Sequence, residues 1–280
     1  MIDIDTINDI GSCRKIAIMD TSSISFMQRL DENNIIPDKI LFDYDLILIP
    51  KWVLTEIEDA PGRAGYIEQF IRKGFPIYTI DETSYSDLVY NEEGNLYNIV
   101  QASASNIGAI KSYLRRYVQK DDPLEMDSYS EWIKKLYDEW PIEGEVLSSG
   151  RIKKKNAGEV SITILAEILS WYYSDSDTVT VYSQDRDTFT FQKAAEEILI
   201  RIFSNRSPVP VSYKSNDALL CQLYREQVIN SDDVRNIRKD CRKITYSKVQ
   251  SDKSVIFVTE QVETGRFIEL IQDNSFHIIF

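Results

Sequence analysis

The chain has 280 residues, a hydrophobic content of 43% and a formal net charge of −13 at pH 7. These values are typical of a globular protein and exclude wholesale disorder. The acidic charge also argues against indiscriminate binding to nucleic acid, because the phosphate backbone favours a basic surface. With His277 as its single histidine, the sequence has no base for a Ser-His-Asp triad or for a ribonuclease that uses a histidine pair.

The cysteine pattern and the absence of known short motifs exclude further classes. Cys13, Cys221 and Cys241 are widely spaced, which supports neither a disulfide framework nor a zinc ribbon. No Gly-x-x-x-x-Gly-Lys or Gly-x-Gly-x-x-Gly loop occurs. The start, Met-Ile-Asp-Ile-Asp, lacks the apolar core of a signal peptide, and no stretch approaches 18 apolar residues. We therefore expect a cytoplasmic protein without a membrane segment.

Apolar runs alternate with helical patterns along the chain up to residue 215. Short apolar or β-branched runs predict strands at residues 15–19, 46–49, 76–80, 178–182 and 209–213. Helices are predicted directly after Pro50 and at residues 64–73, 158–173 and 188–200. Because Pro210 cannot donate a hydrogen bond within a central ladder, the last strand is predicted at a sheet edge. The alternation predicts an α/β fold with three α/β/α layers around a central, mainly parallel sheet.

Two segments do not follow this alternation. We predict a domain over residues 1–215 that contains a helical insertion at about residues 95–150. Residues 216–280 are predicted to form a C-terminal extension, helical at first and including a helical stretch over residues 231–243. Residues 254–280 alternate apolar and polar side chains between turns, which predicts a small three-stranded antiparallel sheet.

Four acidic motifs lie at the ends of apolar strands or on the helices beside them. They carry Asp20, Glu56, Glu159, and the pair Asp185 and Asp187. Ligands of an open parallel sheet bind outside the carboxyl ends of its strands, so we expect these acids to meet in space. Carboxylates packed together repel one another unless a cation neutralises them. The sequence therefore indicates a divalent-metal site and phosphodiester chemistry.

Each acid also has a structural explanation. Asp20 precedes Thr-Ser-Ser and could cap the next helix. Glu56 could face solvent, with Glu58 and Asp59 as equally eligible neighbours. Glu159 follows a glycine and could interact with the helix dipole, and the Asp-x-Asp pair at residues 185–187 could form a turn after a strand. The coincidence of all the motifs at strand ends favours the metal site.

A basic cluster precedes the Glu159 motif. Its members are Arg151, Lys153, Lys154 and Lys155. Basic clusters usually form a solvated face. This cluster adjoins a candidate catalytic acid, however, and we therefore expect it to bind RNA.

The four motifs, taken in order, resemble those of the PIN-domain nucleases. An apolar strand ends in Asp-Thr-Ser at residues 18–22, and a Pro-x-x-Val-x-x-Glu-Ile motif occupies residues 50–57. A Gly-Glu pair at residues 158–159 begins a long helix, and an apolar strand is followed by Ser-x-Asp-x-Asp at residues 183–187. The resemblance covers roughly residues 13–215, apart from the insertion.

This resemblance implies a metal-dependent endoribonuclease that hydrolyses RNA phosphodiester bonds. The implied catalytic acids and ligands of one or two Mg²⁺ or Mn²⁺ ions are Asp20, Glu56, Glu159 and Asp185, with Asp187 as an additional or outer ligand. The metals would lower the pKa of water, align it for attack and offset charge on the leaving oxygen. Thr21, Ser22 and Ser183 could orient carboxylates or contact phosphate. A toxin or defence role is the corresponding expectation, and an inhibitory or delivering protein partner and a homodimer stay open.

Two other functions are compatible with a fold of this kind. A catalytically inactive PIN-like module that binds RNA or protein would lack one of the acids, whereas all four are present in this sequence. A haloacid-dehalogenase-like phosphatase needs a second Asp two residues after its nucleophile. Ser22 stands at that place after Asp20, which argues against the phosphatase.

Overall fold

The computed structural model describes most of the chain. The described residues are 3–35, 37–57, 61–118, 128–147, 150, 152–250 and 253–279. Three of the residues named from the sequence, Glu58, Asp59 and the predicted RNA-binding Arg151, lie outside them. Within the described ranges, no helix is both long and apolar enough to cross a membrane.

The described residues form a central parallel sheet and two smaller sheets. In chain order the strands are β1 (Lys15–Met19), β2 (Leu46–Pro50), β3 (Ile77–Ile80), β4 (Glu145–Val146), β5 (Ile152–Lys153), β6 (Thr178–Tyr182), β7 (Val211–Lys214), β8 (Arg242–Val249), β9 (Val255–Val262) and β10 (Phe276–Ile278). The central sheet has the order β3-β2-β1-β6-β7 with all neighbours parallel, and β7 is an edge strand as predicted. Strands β1 and β2 are nearly continuous apolar runs because helices cover both faces of the sheet, whereas the inner strand β6 also carries Thr178 and Thr180.

Helices flank this sheet and give the predicted three layers. In chain order, the helices of the described residues are α1 (Thr21–Glu32), α2 (Asp38–Leu41), α3 (Lys51–Ile57), α4 (Pro61–Arg72), α5 (Tyr85–Leu88), α6 (Glu93–Ser103), α7 (Gly108–Val118), α8 (Tyr129–Asp138), α9 (Ala157–Tyr172), α10 (Arg186–Ile202), α11 (Asn216–Arg225), α12 (Ser231–Ile237) and α13 (Thr264–Gln272). Helix α1 packs against α3 and α4, whereas α9 packs against α6 and α10. The β1-to-β2 and β6-to-β7 connections run in opposite directions, so right-handed crossovers place α1 and α10 on opposite faces.

After β1 the chain adds β2 and β3 towards one edge of the sheet, whereas after β6 it adds β7 towards the other edge. Strands β1 and β6 are direct neighbours, and Met19 at the end of β1 pairs with Tyr182 at the end of β6. Their carboxyl ends therefore lie side by side at a topological switch point. In open α/β sheets this is the place where a crevice forms and ligands bind.

The described part of the insertion is helical, as predicted, and it ends in a hairpin that was not predicted, whose second strand lies beyond residue 150. Helices α7 and α8 lie within it, and α6 packs against α9 and α10 as part of the helical layer. Strands β4 and β5 form an antiparallel pair in which Glu145 lies opposite Lys153. Strands of two residues are too short to show a periodicity. The hairpin places Lys153 shortly before the start of α9.

Two predictions for the C-terminal extension were wrong in detail. Helix α12 ends at Ile237, and Arg242 begins strand β8, so the predicted helix over residues 231–243 is too long. The predicted small three-stranded antiparallel sheet is confirmed, with the order β10-β8-β9, but its strand β8 lies before the predicted segment 254–280. Between β9 and β10 the chain forms α13, with Phe267, Ile268, Leu270 and Ile271 buried. That spacing follows the period of a helix, not the alternation of a strand.

The C-terminal extension packs onto the α/β part of the chain. Within the extension, the side chains of Arg238 and Asp217 are fully buried and form an ion pair at 3.1 Å. Arg29 on α1 donates from Nη1 to the carbonyl oxygen of Ile237 at 3.2 Å. Buried apolar residues of both regions belong to one continuous core cluster. The division of the chain at residue 215 stays a prediction.

A candidate active-site cleft

A cleft with a volume of ≈ 140 Å³ lies where strands β1 and β6 end. It is lined by Asp20, Thr21, Ser22, Val53, Glu56, Lys153, Gly158, Glu159, Ile162 and Asp185. We call Asp20, Glu56, Glu159 and Asp185 the four cleft acids. They were the catalytic residues implied by the sequence motifs, and the fold brings all four of them to one place.

Asp20 follows β1 and is held on two sides. Its Oδ1 accepts hydrogen bonds from the backbone N–H groups of Ser22 and Ser23, which makes it the N-cap of α1. Its Oδ2 accepts a hydrogen bond from the hydroxyl of Ser183, at the end of β6. Burial raises the pKa of Asp20, and the hydrogen bonds from Ser183 and Ser22 oppose this shift. Asp20 therefore caps a helix and also lines the cleft.

Asp185 has a matching position at the start of α10. Its Oδ1 accepts a hydrogen bond from the backbone N–H of Asp187 at 2.8 Å, and its own N–H donates to Ser183 Oγ at 3.0 Å. The N–H of Gln184 donates to Ser22 Oγ at 2.9 Å. Ser22 and Ser183 thus interlock the turns that follow β1 and β6. The exposed side chain of Asp185 is fixed by its turn, not by burial.

Glu159 lies in the first turn of α9, after Asn156 in a left-handed conformation with φ of 62°. Asparagine is one of the few residues other than glycine that adopt this conformation readily. Glu159 Oε2 is buried and has no hydrogen-bond partner among the described residues. Burial, and to a smaller extent the charges of Glu56, Asp185 and Asp20, raise the pKa of Glu159 to about 7. A carboxylate in this environment would be stabilised by a cation.

Gly158 allows the helix of Glu159 to approach the helix of Glu56. A Cβ atom at position 158 would lie 3.3 Å from both Glu56 Oε1 and Val53 Cγ2. Glu56 Oε2 accepts a hydrogen bond from Thr21 Oγ1 at 3.5 Å. Burial raises the pKa of Glu56, although the nearby ammonium group of a lysine opposes the shift. The glycine before Glu159 therefore has a steric explanation, because a side chain at position 158 would press on Glu56 and Val53.

The structure separates the members of the basic cluster. Lys153 lines the cleft, and its Nζ lies 2.9 Å from Glu56 Oε2. Lys154 donates from Nζ to the carbonyl oxygen of Tyr137 and lies over the ring of that tyrosine. Lys155 is exposed and lines an adjacent cavity, which Lys153 and Glu159 also line. Of these three described lysines, Lys153 alone is among the residues that line the cleft.

Of the five predicted metal ligands, four line the cleft and Asp187 does not. Asp187 is exposed and is not among the residues that line the cleft. Within the described part of the chain, no three or more Asp, Glu, His or Cys side chains are arranged as a group that could hold a metal ion. Carboxylate oxygens nevertheless suit Mg²⁺ or Mn²⁺, and the buried Oε2 of Glu159 lacks a partner. The donor chemistry fits a divalent cation, and binding requires the carboxylates to approach one another.

One residue that supports the cleft was missed by the sequence reasoning. Glu82 is buried after β3, and its Oε1 accepts hydrogen bonds from the N–H of Trp52 at 2.9 Å and from Ser161 Oγ at 2.5 Å. Trp52 lies on α3 with Glu56, and Ser161 lies on α9 with Glu159. Burial raises the pKa of Glu82 to about 8. Its position two residues after the predicted strand 76–80 was the available signal, because Asp20 and Asp185 also lie just beyond strand ends.

Comparisons with protein-family models, with curated proteins and with solved structures find no match to this chain. The likeness to PIN-domain nucleases thus consists of four sequence motifs in order. The function has to be argued from the cleft itself, that is, from its acids, their partners and their position at the switch point.

Proposed function

We propose that this chain is a metal-dependent endoribonuclease of the PIN-domain type. The observation that carries the proposal is the convergence of the four cleft acids, which come from four separate segments of the sequence, on one cleft at the switch point. Clustered acids repel one another, which lowers the stability of the fold. Groups of this kind occur most often at functional sites. The resemblance of the motifs agrees with this assignment and supplies the substrate, RNA.

The four cleft acids would hold Mg²⁺ or Mn²⁺. A divalent cation, when bound, supplies Lewis acidity at the phosphodiester and lowers the pKa of water. The protein positions the ligands. The hydroxyl of Ser183 and the N–H groups of Ser22 and Ser23 fix both oxygens of Asp20, and the turn after β6 fixes Asp185. Hydrogen bonds of this kind orient carboxylates that bind a metal.

The basic residues near the cleft would bind the RNA backbone. Lys153 lies at the cleft and Lys155 is exposed beside it. Ammonium groups attract phosphate through charge and make binding dependent on salt. The overall charge of −13 restricts this attraction to such local surfaces. A toxin or defence role, with an inhibitory or delivering protein partner, extends the proposal and rests on the motif resemblance alone.

An inactive RNA- or protein-binding module is the second candidate. It is favoured by the absence, among the described residues, of a preformed group of metal ligands. It is also favoured by the ion pair of Glu56 with Lys153, which satisfies one acid without a metal. This candidate predicts RNA or protein binding without cleavage.

The test is incubation of a total RNA pool with the protein in Mn²⁺, in Mg²⁺ and in EDTA, with Asp20→Asn alongside. Asparagine keeps a side-chain oxygen that can cap α1, so this variant removes the charge and preserves the fold. We expect metal-dependent cleavage by the wild type and its loss in the variant. RNA that stays intact with a folded wild-type protein in every metal would reject the nuclease and favour the binding module.

A further inference from the structure

Lys153 reaches the cleft from the β4–β5 hairpin, which lies between α8 and α9 in the chain. Its Nζ lies 2.9 Å from Glu56 Oε2, with 38% of the lysine side chain and 14% of the glutamate side chain exposed. The contact is therefore a partly buried ion pair inside the candidate active site. Such a pair is less screened by salt than an exposed one.

The ammonium group of Lys153 lies among all four cleft acids. Its Nζ contacts Glu56 Oε2, and Lys153 lines the same cleft as Asp20, Glu159 and Asp185. A lysine side chain is protonated at neutral pH. Lys153 thus carries a positive charge in the region where the negative charges of the cleft are concentrated. It offsets part of the repulsion between the acids.

We propose that Lys153 is the built-in counter-ion of the cleft and that a divalent cation binds by displacing its ammonium group from Glu56. This inference rests on the proposed function. A divalent cation and an ammonium group near the same carboxylate repel each other. Under this proposal, metal binding breaks the ion pair, and Lys153 lowers the affinity of the cleft for the metal.

The chain offers both a control residue and a charge-preserving variant. Lys111 on α7 is an exposed lysine that does not line the cleft. Replacement of Lys153 by methionine removes the charge and keeps an unbranched side chain. Replacement by arginine keeps the charge. A difference between these two variants assigns the effect to charge and not to packing.

The experiment is calorimetric titration of Mn²⁺ into the RNA-free protein, with wild type, Lys153→Met, Lys153→Arg and Lys111→Met compared. We expect Lys153→Met to bind Mn²⁺ about three- to tenfold more tightly than wild type, a range set by a Coulomb attraction that solvent partly screens. Lys153→Arg and Lys111→Met should bind within about twofold of wild type, because the first keeps the charge and the second lies outside the cleft. Thermal unfolding in EDTA checks that every variant is folded.

The outcomes separate this inference from the proposed function. Equal or weaker Mn²⁺ binding by folded Lys153→Met would overturn the counter-ion role and leave the metal-dependent nuclease standing. A wild type that binds no Mn²⁺ while Lys153→Met binds it would support the inference strongly. If no variant binds Mn²⁺, the metal site itself is rejected, and the counter-ion role falls with it.

Discussion

The two halves of helix α9 hold a buried carboxyl group in two different environments. In the second half, both oxygens of Glu167 accept hydrogen bonds, from Trp171 Nε1 at 2.8 Å and from Gln192 Nε2 at 2.7 Å. In the first turn, Glu159 Oε2 is buried without a partner among the described residues, and the other cleft acids surround it. Burial is the main cause that raises the pKa of both groups, to about 8 for Glu167 and about 7 for Glu159.

The difference shows that burial alone does not mark a functional carboxyl group. Glu167 has neutral donors for both of its oxygens, which is the usual condition of a structural polar group in a core. Glu159 adds a charge next to like charges, and it leaves one oxygen unpaired. Arrangements that lower stability are retained where function requires them. The unpaired oxygen in an acidic cleft is thus the informative feature.

The largest effect on RNA cleavage is expected from replacement of Glu159, and the same replacement at Glu167 is its matched control. Glu159→Gln should reduce metal-dependent RNA cleavage by more than the roughly 10- to 100-fold that loss of an outer-shell partner costs. Its free energy of unfolding in EDTA should stay equal or rise, because the repulsion is relieved. Glu167→Gln should cleave RNA normally and lose about 1–3 kcal/mol of stability, since an amide N–H₂ would face a donor. Cleavage assays measure the activity of both variants, and urea denaturation measures their free energy of unfolding. Normal cleavage by Glu159→Gln together with lost cleavage by Glu167→Gln would contradict the comparison.

Ser183 should show the next largest effect. Its hydroxyl donates to Asp20 and accepts from the N–H of Asp185, so it connects two cleft acids. Loss of such a supporting group costs roughly 10- to 100-fold in metal affinity or activity. We expect Ser183→Ala to fall in this range for Mn²⁺ affinity measured by calorimetry. Ser170, which donates to the carbonyl oxygen of Val209 away from the cleft, gives a matched control, and equal affinities in the two alanine variants would contradict the supporting role.

Gly158 should show a smaller effect that acts through Glu56. The added Cβ of Gly158→Ala would press on Glu56 Oε1 and Val53, and we expect a loss of about tenfold in cleavage from the shifted carboxylate. Gly65 on α4 has open space around its Cβ position. Gly65→Ala should cleave RNA as wild type does and gain up to about 1 kcal/mol of stability. Unchanged cleavage by Gly158→Ala would show that the close approach of the helices is not required.

The smallest expected effect is a pH dependence. Burial first, and the charges of Glu56, Asp185 and Asp20 second, raise the pKa of Glu159 from 4.5 to about 7. Because the protonated carboxyl does not bind a cation, Mn²⁺ affinity should rise with pH and level off above about 7. The folded-state pKa exceeds the unfolded value, so this group lowers the free energy of unfolding in EDTA as pH rises from 4.5 towards about 7. Glu159→Gln should weaken both trends in calorimetry and thermal unfolding, and trends of the same size in this variant would assign them to another group.

The sequence was sufficient for the part of the site that depends on strand ends. Asp20 and Asp185 directly follow, or nearly follow, apolar strands, and parallel strands bring their carboxyl ends to one edge of the sheet. The positions of Glu56 and Glu159 followed from the helices beside those strands. The central sheet, the edge position of β7 and the long helix α9 were predicted for the same reason, because their apolar patterns are long and regular.

The remaining features depend on contacts between distant segments. The pairing of Lys153 with Glu56 requires the β4–β5 hairpin, whose strands are too short to show a pattern. The role of Glu82 depends on Trp52 and Ser161, which lie 30 and 79 residues away in the chain. Helix α13 was mistaken for strands because its short apolar pattern was interpreted with the wrong period. Local sequence patterns do not contain this information.

The most direct test of the metal-dependent cleft compares two aspartates that lie two residues apart. Both are exposed at the start of α10, but Asp185 lines the cleft and Asp187 does not. Cleavage of an RNA pool in Mn²⁺ and in EDTA should be metal-dependent for wild type and for Asp187→Asn, and absent for Asp185→Asn, which keeps the cap of α10. Equal cleavage by both variants, or loss only in Asp187→Asn, would contradict the proposed site.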